Sequence, residues 1–107
     1  MLEFYYKGKI SVERIVQKMS HNPAILFQIE NRGFIREGYV ADLVLVDLNK
    51  PWTVTKKNII AKCGWSPLEE VTFQSQVKKT FVSGHLAYTD GNFNETKKGE
   101  RLLFNRN

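Results

Sequence analysis

Two imidazoles, one thiol and a pair of aspartates are where chemistry would first be sought in this sequence, and their spacing argues against it. His21 and His85 are 64 residues apart, with no His-x-His pair, no His-Glu-x-x-His helix and no third imidazole. A catalytic zinc site needs about three converging protein ligands, so even a minimal one would have to recruit carboxylates from unrelated elements. His21 is instead expected as a turn residue before a helix, and His85 as a solvent-facing or cross-strand residue. A nucleophilic thiolate needs an imidazole or cation held beside it, and none is identifiable for Cys63, which is expected as buried filler. Asp42 and Asp47 are five residues apart in one predicted strand, on opposite faces of its pleat, where an acid/base pair would have to converge. Gly8, Gly33, Gly38 and Gly64 form neither a phosphate loop nor a dinucleotide fingerprint and read as turns. Phe4, Tyr5 and Tyr6 beside Lys7 and Lys9 have the ingredients for base stacking, but at the start of a chain they are expected to pack on a helix. No catalytic, cofactor-binding or metal-ligating residue is assigned.

The elements that would position these residues are clearer than the chemistry. Val12, Ile15, Val16 and Met19 recur at helical spacing while Glu13, Arg14, Gln17 and Lys18 take the other face, predicting an amphipathic helix from Ser11 to Ser20. Ser11 is placed to accept from a first-turn N–H, and Glu13 lies near the positive end of the dipole. A second helix is expected with Asn22 as N-cap and Pro23 as its first residue, burying Ile25 to Ile29 and ending between Asn31 and Gly33. From Phe34 the pattern turns strand-like, with a turn at Arg36-Glu37-Gly38. Ala41 to Asp47 is aliphatic and rich in β-branched residues, as in the central strand of a covered sheet. Trp52 and Val54 alternate with Thr53 and Thr55; Lys56 to Lys62 is expected to carry Ile59 and Ile60 inward; Gly64 to Pro67 is a loop. Val77 to Thr89 reads as a hairpin turning at Ser83-Gly84, with another tight turn at Asp90-Gly91. The tail is polar from Asn94 until Leu102-Leu103-Phe104, placed to pin the end onto the body.

Composition limits the partners. The chain has 107 residues, 42% hydrophobic, with a single cysteine, so it makes at most one domain and no internal disulfide framework. Area scaling allows roughly two-thirds of the unfolded surface to be removed, enough for one small core. Sixteen Lys and Arg against eleven Asp and Glu leave a net charge of +5. The cations are scattered as Lys56-Lys57, Lys78-Lys79 and Lys97-Lys98, whereas nucleic-acid binding needs many on one face. No apolar stretch approaches a membrane span, and the first sixteen residues lack a signal-peptide core. A soluble, cytoplasmic α+β protein is expected, without nucleic-acid or membrane partners; the alternative is a free-standing basic nucleic-acid-binding module, whose binding would fall steeply as salt rises.

One resemblance goes further. His21-Asn22-Pro23-Ala24, Gly33, Gly38 and the run Tyr39 to Asp47 resemble the N-P-A, Gly, Gly, A-D-L-V-hydrophobic-D ending of the amidohydrolase superfamily. Lys62 to Glu69, then Phe73, Val77, Thr80 to Gly84 and Tyr88, are similar to the matching region of dihydroorotases, the cyclic-amide hydrolases of pyrimidine synthesis, with allantoinase and dihydropyrimidinase as related alternatives. The resemblance runs from about Ile10 to Phe93 and departs at Glu70, where the family usually has Gly. It implies the carboxyl-terminal end of such an enzyme: residues 1–33 as the last helices of a (β/α)₈ barrel, 34–93 as part of a small β-sandwich lobe, and 94–107 as a tail. The lobe would be completed by strands from the amino terminus of the same polypeptide. The parent's two zinc ions, their ligands and the catalytic Asp would all lie upstream, leaving this segment inactive alone. The rest of the amidohydrolase chain would be its partner, and open sheet edges would favour self-association.

Overall fold

The computed structural model describes residues 1–106. Three short helices lead into a mostly β remainder, an α+β arrangement. Helix α1 (Leu2–Tyr6), which the residue pattern did not announce, ends in a Schellman turn: Gly8 takes φ +67°, its N–H reaches Tyr5 O and that of Lys9 reaches Phe4 O. Helix α2 (Val12–Val16) starts at Ser11, whose hydroxyl accepts from Arg14 N at 3.2 Å, as expected.

The second helix start expected at Asn22 is absent. Gln17–His21 continues as a π-helical turn straight into α3 (Asn22–Leu26), and Asn22 has helical angles (φ −63°, ψ −42°) rather than those of an N-cap. Pro23 lacks an N–H, and its ring would crowd the carbonyl one α-turn back. A widened turn immediately before it accommodates both within one run of helix. His21 is accordingly part of this helical run, not a free turn. The run ends earlier than Gly33: Gln28, at φ +56°, forms a second Schellman turn, with Gln28 N donating to Ile25 O and Ile29 N to Ala24 O. Nor is this stretch buried, since Ile25 is 65% and Leu26 75% exposed. Phe34 lies in a bend and Ile35 in irregular chain, neither in a strand.

The sheet has four antiparallel strands in the order β1 (Leu43–Asp47), β4 (Gln76–Val82), β5 (His85–Thr89), β6 (Asn92–Phe93), with a separate pair of β2 (Trp52–Thr53) and β3 (Thr72–Phe73). The hairpin is as expected. Ser83 and Gly84 both have positive φ, and so do Asp90 and Gly91 at the next turn, as two-residue turns matched to strand twist require. The aliphatic run of β1 lies at the sheet's edge instead of its centre, with Val44 57% and Leu45 55% exposed. Pairing slips once between β1 and β4, where Lys78 is the extra residue, and once between β4 and β5, at Ala87.

Around β2, Trp52 donates its indole N–H to Ser75 O at 2.8 Å, Val54 is buried, and Val54 O accepts from Glu70 N at 2.8 Å. Lys56–Asn58 forms a single 3₁₀ turn capped by Thr55 and Asn58, and Ile60 is 77% exposed rather than carried inward. Glu70 holds φ +69°, the conformation a glycine takes without steric penalty. Replacing Glu70→Gly is expected to stabilise the chain by about 0.5–1 kcal/mol, the relief of left-handed strain less the added freedom of the unfolded chain, read from the urea midpoint.

The tail closes on α3's exit, as anticipated: Glu30 N donates to Leu103 O and Asn105 N to Gln28 O, both at 2.9 Å, with Phe104 bridged to Ile29. The core is nevertheless very small. Ile15, Ala24 and Val54 are the only buried apolar residues among those described. The accessible surface is 8606 Å², against about 6,100 Å² for a folded monomer of this mass. The radius of gyration is 15.9 Å, against about 13 Å. Roughly half, not two-thirds, of the unfolded chain's surface has been removed from water.

Candidate functional site

The residues singled out for chemistry are not brought together. His21 stacks on Phe34, ring centroids 4.2 Å apart and planes 7° apart. His85 faces Val82 across the hairpin, as the cross-strand reading expected, and its Nε2 lies 3.0 Å from Asn94 O. Cys63 is exposed in a loop, its thiol 3.5 Å from Trp65 O, so the buried-filler reading is wrong. A loop closed by Gly64 at φ +72° holds the side chain away from any core. Among the described residues no three His, Cys, Asp or Glu converge on a point that would hold a metal ion. The lysine pairs sit on different elements: Lys56 and Lys57 on the 3₁₀ turn, Lys78 and Lys79 in β4, Lys97 and Lys98 in the tail.

Asp42 and Asp47 have distinct local tasks. Asp47 Oδ1 accepts from Asn49 N at 2.9 Å and turns the chain out of β1. Asp42 is a clasp. One carboxylate oxygen takes the Arg32 guanidinium and the other accepts from Ser83 N at 2.8 Å, while Gly84 N donates to Ala41 O at 3.0 Å. One side chain thus ties the exit of the helices to the hairpin turn. Separations of 10 and 41 residues carry no periodic signal, so spacing alone did not reveal this.

A second charged cluster lies on the sheet. Lys78 Nζ is 2.6 Å from Asp90 Oδ1, and that hydrogen bond holds the Asp90 carboxyl below the usual carboxylate range and raises Lys78. Lys50 is lowered by its contact with Lys78. Because Asp90 is the stronger acid when folded, its contribution is full above the unfolded value of about 3.9 and is lost as pH falls through the depressed folded value. An NMR titration should give an Asp90 midpoint below an ordinary aspartate's, returning upward in Lys78→Met.

Two open grooves stand out among the described residues. One, about 760 Å³, is lined by Gln28, Asn31, Arg32, Phe34, Arg36 and Tyr39 among others, with the Arg36 guanidinium 4.2 Å from the Phe34 ring centroid. No imidazole or thiol lines it and Glu30 is its one carboxylate, so it has no nucleophile–base pair. The other, about 410 Å³, is apolar and crosses the sheet at Ile60, Val77, Ala87, Tyr88 and Phe93. The apolar groove and the bare face at Ile25 and Leu26 leave hydrophobic surface uncovered.

Comparison with known proteins shows the family. The amidohydrolase family pattern matches residues 1–87. A dihydroorotase of Pyrococcus horikoshii is 37% identical over 103 residues, 96% of this chain and 24% of that protein. A dihydroorotase of Pyrococcus furiosus is 34% identical over 96% of this chain and 25% of its own. The chain therefore spans about a quarter of the length of the curated relatives it matches. In structure it is similar to an L-hydantoinase (dihydropyrimidinase) from Arthrobacter aurescens, TM-score 0.76 and 27% identity, over 84% of this chain and 20% of that one.

Proposed function

The chain belongs to the amidohydrolase family, and from that premise we propose that it forms the carboxyl-terminal, non-catalytic part of a zinc-dependent dihydroorotase. Residues 1–33 would close the (β/α)₈ barrel, 34–93 would form part of a small β lobe, and 94–107 the tail. The parent would interconvert dihydroorotate and carbamoyl-aspartate in the cytoplasm. The observation that carries this reading is the 37% identity to a dihydroorotase along 96% of the chain. The small core, with bare apolar faces on α3 and the sheet, supports it, since those faces suit packing against the rest of such an enzyme.

The residues present do not fit a zinc site. The His21 ring is stacked on Phe34, His85 Nε2 lies against Asn94 O, and the Cys63 thiol stands alone. No catalytic step is derived from them; the ions and the groups that use them belong to the remainder of the enzyme in this proposal. The chain's own contribution is mechanical, with the Arg32–Asp42–Ser83 clasp holding the helical segment to the sheet. A dihydropyrimidinase-type parent is the second reading, favoured by the likeness to the hydantoinase.

The test is complementation. Alone and supplied with zinc, the chain should open neither dihydroorotate nor hydantoin rings. Co-expressed with a Pyrococcus dihydroorotase lacking its final quarter, it should co-purify and restore dihydroorotate hydrolysis. Activity of the chain alone, or failure to associate, would overturn the proposal, and restored activity in a truncated hydantoinase only would favour the second reading. In the same preparations the chain should not retain DNA or RNA even at low salt, where electrostatic binding is strongest.

A further inference from the structure

We propose that Asp90-Gly91, the turn between β5 and β6, is a self-modification site at which the chain isomerises to isoaspartate through a succinimide, and that Lys78 holds this reaction back in the folded protein. The chemistry uses only this chain and water, whatever enzyme the chain completes.

Succinimide closure needs an aspartate or asparagine followed by an unhindered backbone nitrogen. Of the aspartates Asp42, Asp47 and Asp90 only the last precedes a glycine, and no asparagine does. Gly91 has no side chain to shield its nitrogen, and the space where a Cβ would stand is empty to 4 Å. Its N–H has no hydrogen-bond acceptor among the described residues, so no bond has to break before it reacts. The Asp90 side chain is 49% exposed, which gives water access to the ring once formed.

The step balances without any further reagent. Gly91 N bonds to Asp90 Cγ and gives up its proton to solvent, while the hydroxyl of the neutral carboxyl departs as water. Water then adds back at one of the two ring carbonyls. Opening at Cγ restores aspartate, and opening at the main-chain carbonyl leaves the peptide running through Cγ. The second product lengthens the main chain by one carbon inside a two-residue turn. It would break the Thr89 to Asn92 pairing and part the Tyr88 and Phe93 rings, now 5.1 Å apart.

Only the neutral carboxyl has a hydroxyl to lose, and here Lys78 intervenes. Lys78 Nζ lies 2.6 Å from Asp90 Oδ1, and Lys78 O accepts from Asp90 N at 2.9 Å, so one residue of β4 holds both the side chain and the backbone of Asp90. The hydrogen bond from Lys78 outweighs the loss of hydration and, with the charges of Lys78, Lys50 and Lys79, keeps the carboxyl ionised to lower pH than usual. Lys78 is the extra residue in the ladder with β1 and has no partner there to compete for it.

Ageing the full chain at mildly acidic pH, below its unfolding temperature, with peptide mapping that resolves aspartate from isoaspartate, tests this. Isoaspartate should accumulate at Asp90 and not at Asp42 or Asp47, each followed by leucine. In Lys78→Met it should accumulate faster, about tenfold for each pH unit by which the Asp90 titration midpoint rises. Lys78→Arg keeps the cation and should stay near the wild-type rate. Should Lys78→Met lose the slow amides of the β4–β5 hairpin, and so its fold, the wild-type pH profile decides: its break should fall at lower pH in the folded chain than in urea. No isoaspartate at Asp90, equal amounts at Asp42 or Asp47, an unaltered rate in folded Lys78→Met, or the same break folded and in urea would each overturn the proposal.

Discussion

Replacing Gly33→Ala is expected to lower stability by about 3 kcal/mol, the largest loss of any single methyl group added to this chain. Two penalties add at this position. Gly33 has φ +85°, a conformation that carries a steric cost for an L side chain. A Cβ there would also lie 2.4 Å from Ala24 Cβ and 2.8 Å from Ser20 O. Ser20 is in the π turn and Ala24 in α3, so the obstruction is backbone and a buried methyl, neither of which can swing aside. Relief would require separating the Asn31–Gly33 segment from the helix. Gly38→Ala separates the two penalties, since Gly38 has φ +82° with nothing within 4 Å of the added atom. It should cost only about 1 kcal/mol. Urea midpoints at fixed protein concentration test the pair, and equal losses at the two glycines would show that the close approach contributes nothing.

Removing the clasp is the second large effect. In Asp42→Ala, the Arg32 side chain, 12% exposed, is left with its charge unpaired, and the Ser83 N–H loses its acceptor. Breaking a fully buried ion pair costs about 3–5 kcal/mol. Asp42 is 35% exposed, so water replaces part of what is lost, and a loss of about 2 kcal/mol is expected. Asp42→Asn keeps an oxygen for Ser83 while losing the charge facing Arg32, and should fall between the two. Amide exchange gives a local check: the Ser83 and Gly84 amides should quicken in Asp42→Ala, while those around Trp52 hold. Unchanged protection at Ser83 would mean that the turn is held by its own geometry.

Much of the fold was legible because it is written in local chemistry. Ser11 caps α2 through a hydroxyl three residues from its donor, and Ser83-Gly84 and Asp90-Gly91 make turns through residues tolerant of positive φ. The resemblance to amidohydrolase endings rested on such strings, and its Gly-to-Glu departure fell on a residue that does adopt a left-handed conformation, Glu70. The aliphatic run of β1 was equally visible, but its burial was inferred from composition, and composition cannot say whether a covering layer is present. The same error placed Ile25 to Ile29 and Cys63 inside. Asn22-Pro23, a helix start by local preference, was overridden by a π turn that fits the proline within a continuing helix.

By itself the sequence determined the turns, the caps, the hairpin and the lack of any periodic metal or nucleophile motif, since each depends on residues within a few positions of one another. Only the tertiary structure decided that Asp42 joins Arg32 to Ser83, that Gly33 lies against Ser20 and Ala24, and that β1 is an open edge. Those facts depend on which distant segments meet and which faces stay uncovered. A hydrophobic pattern states that a face seeks burial, whereas what covers it is settled by the surfaces the rest of the molecule brings there.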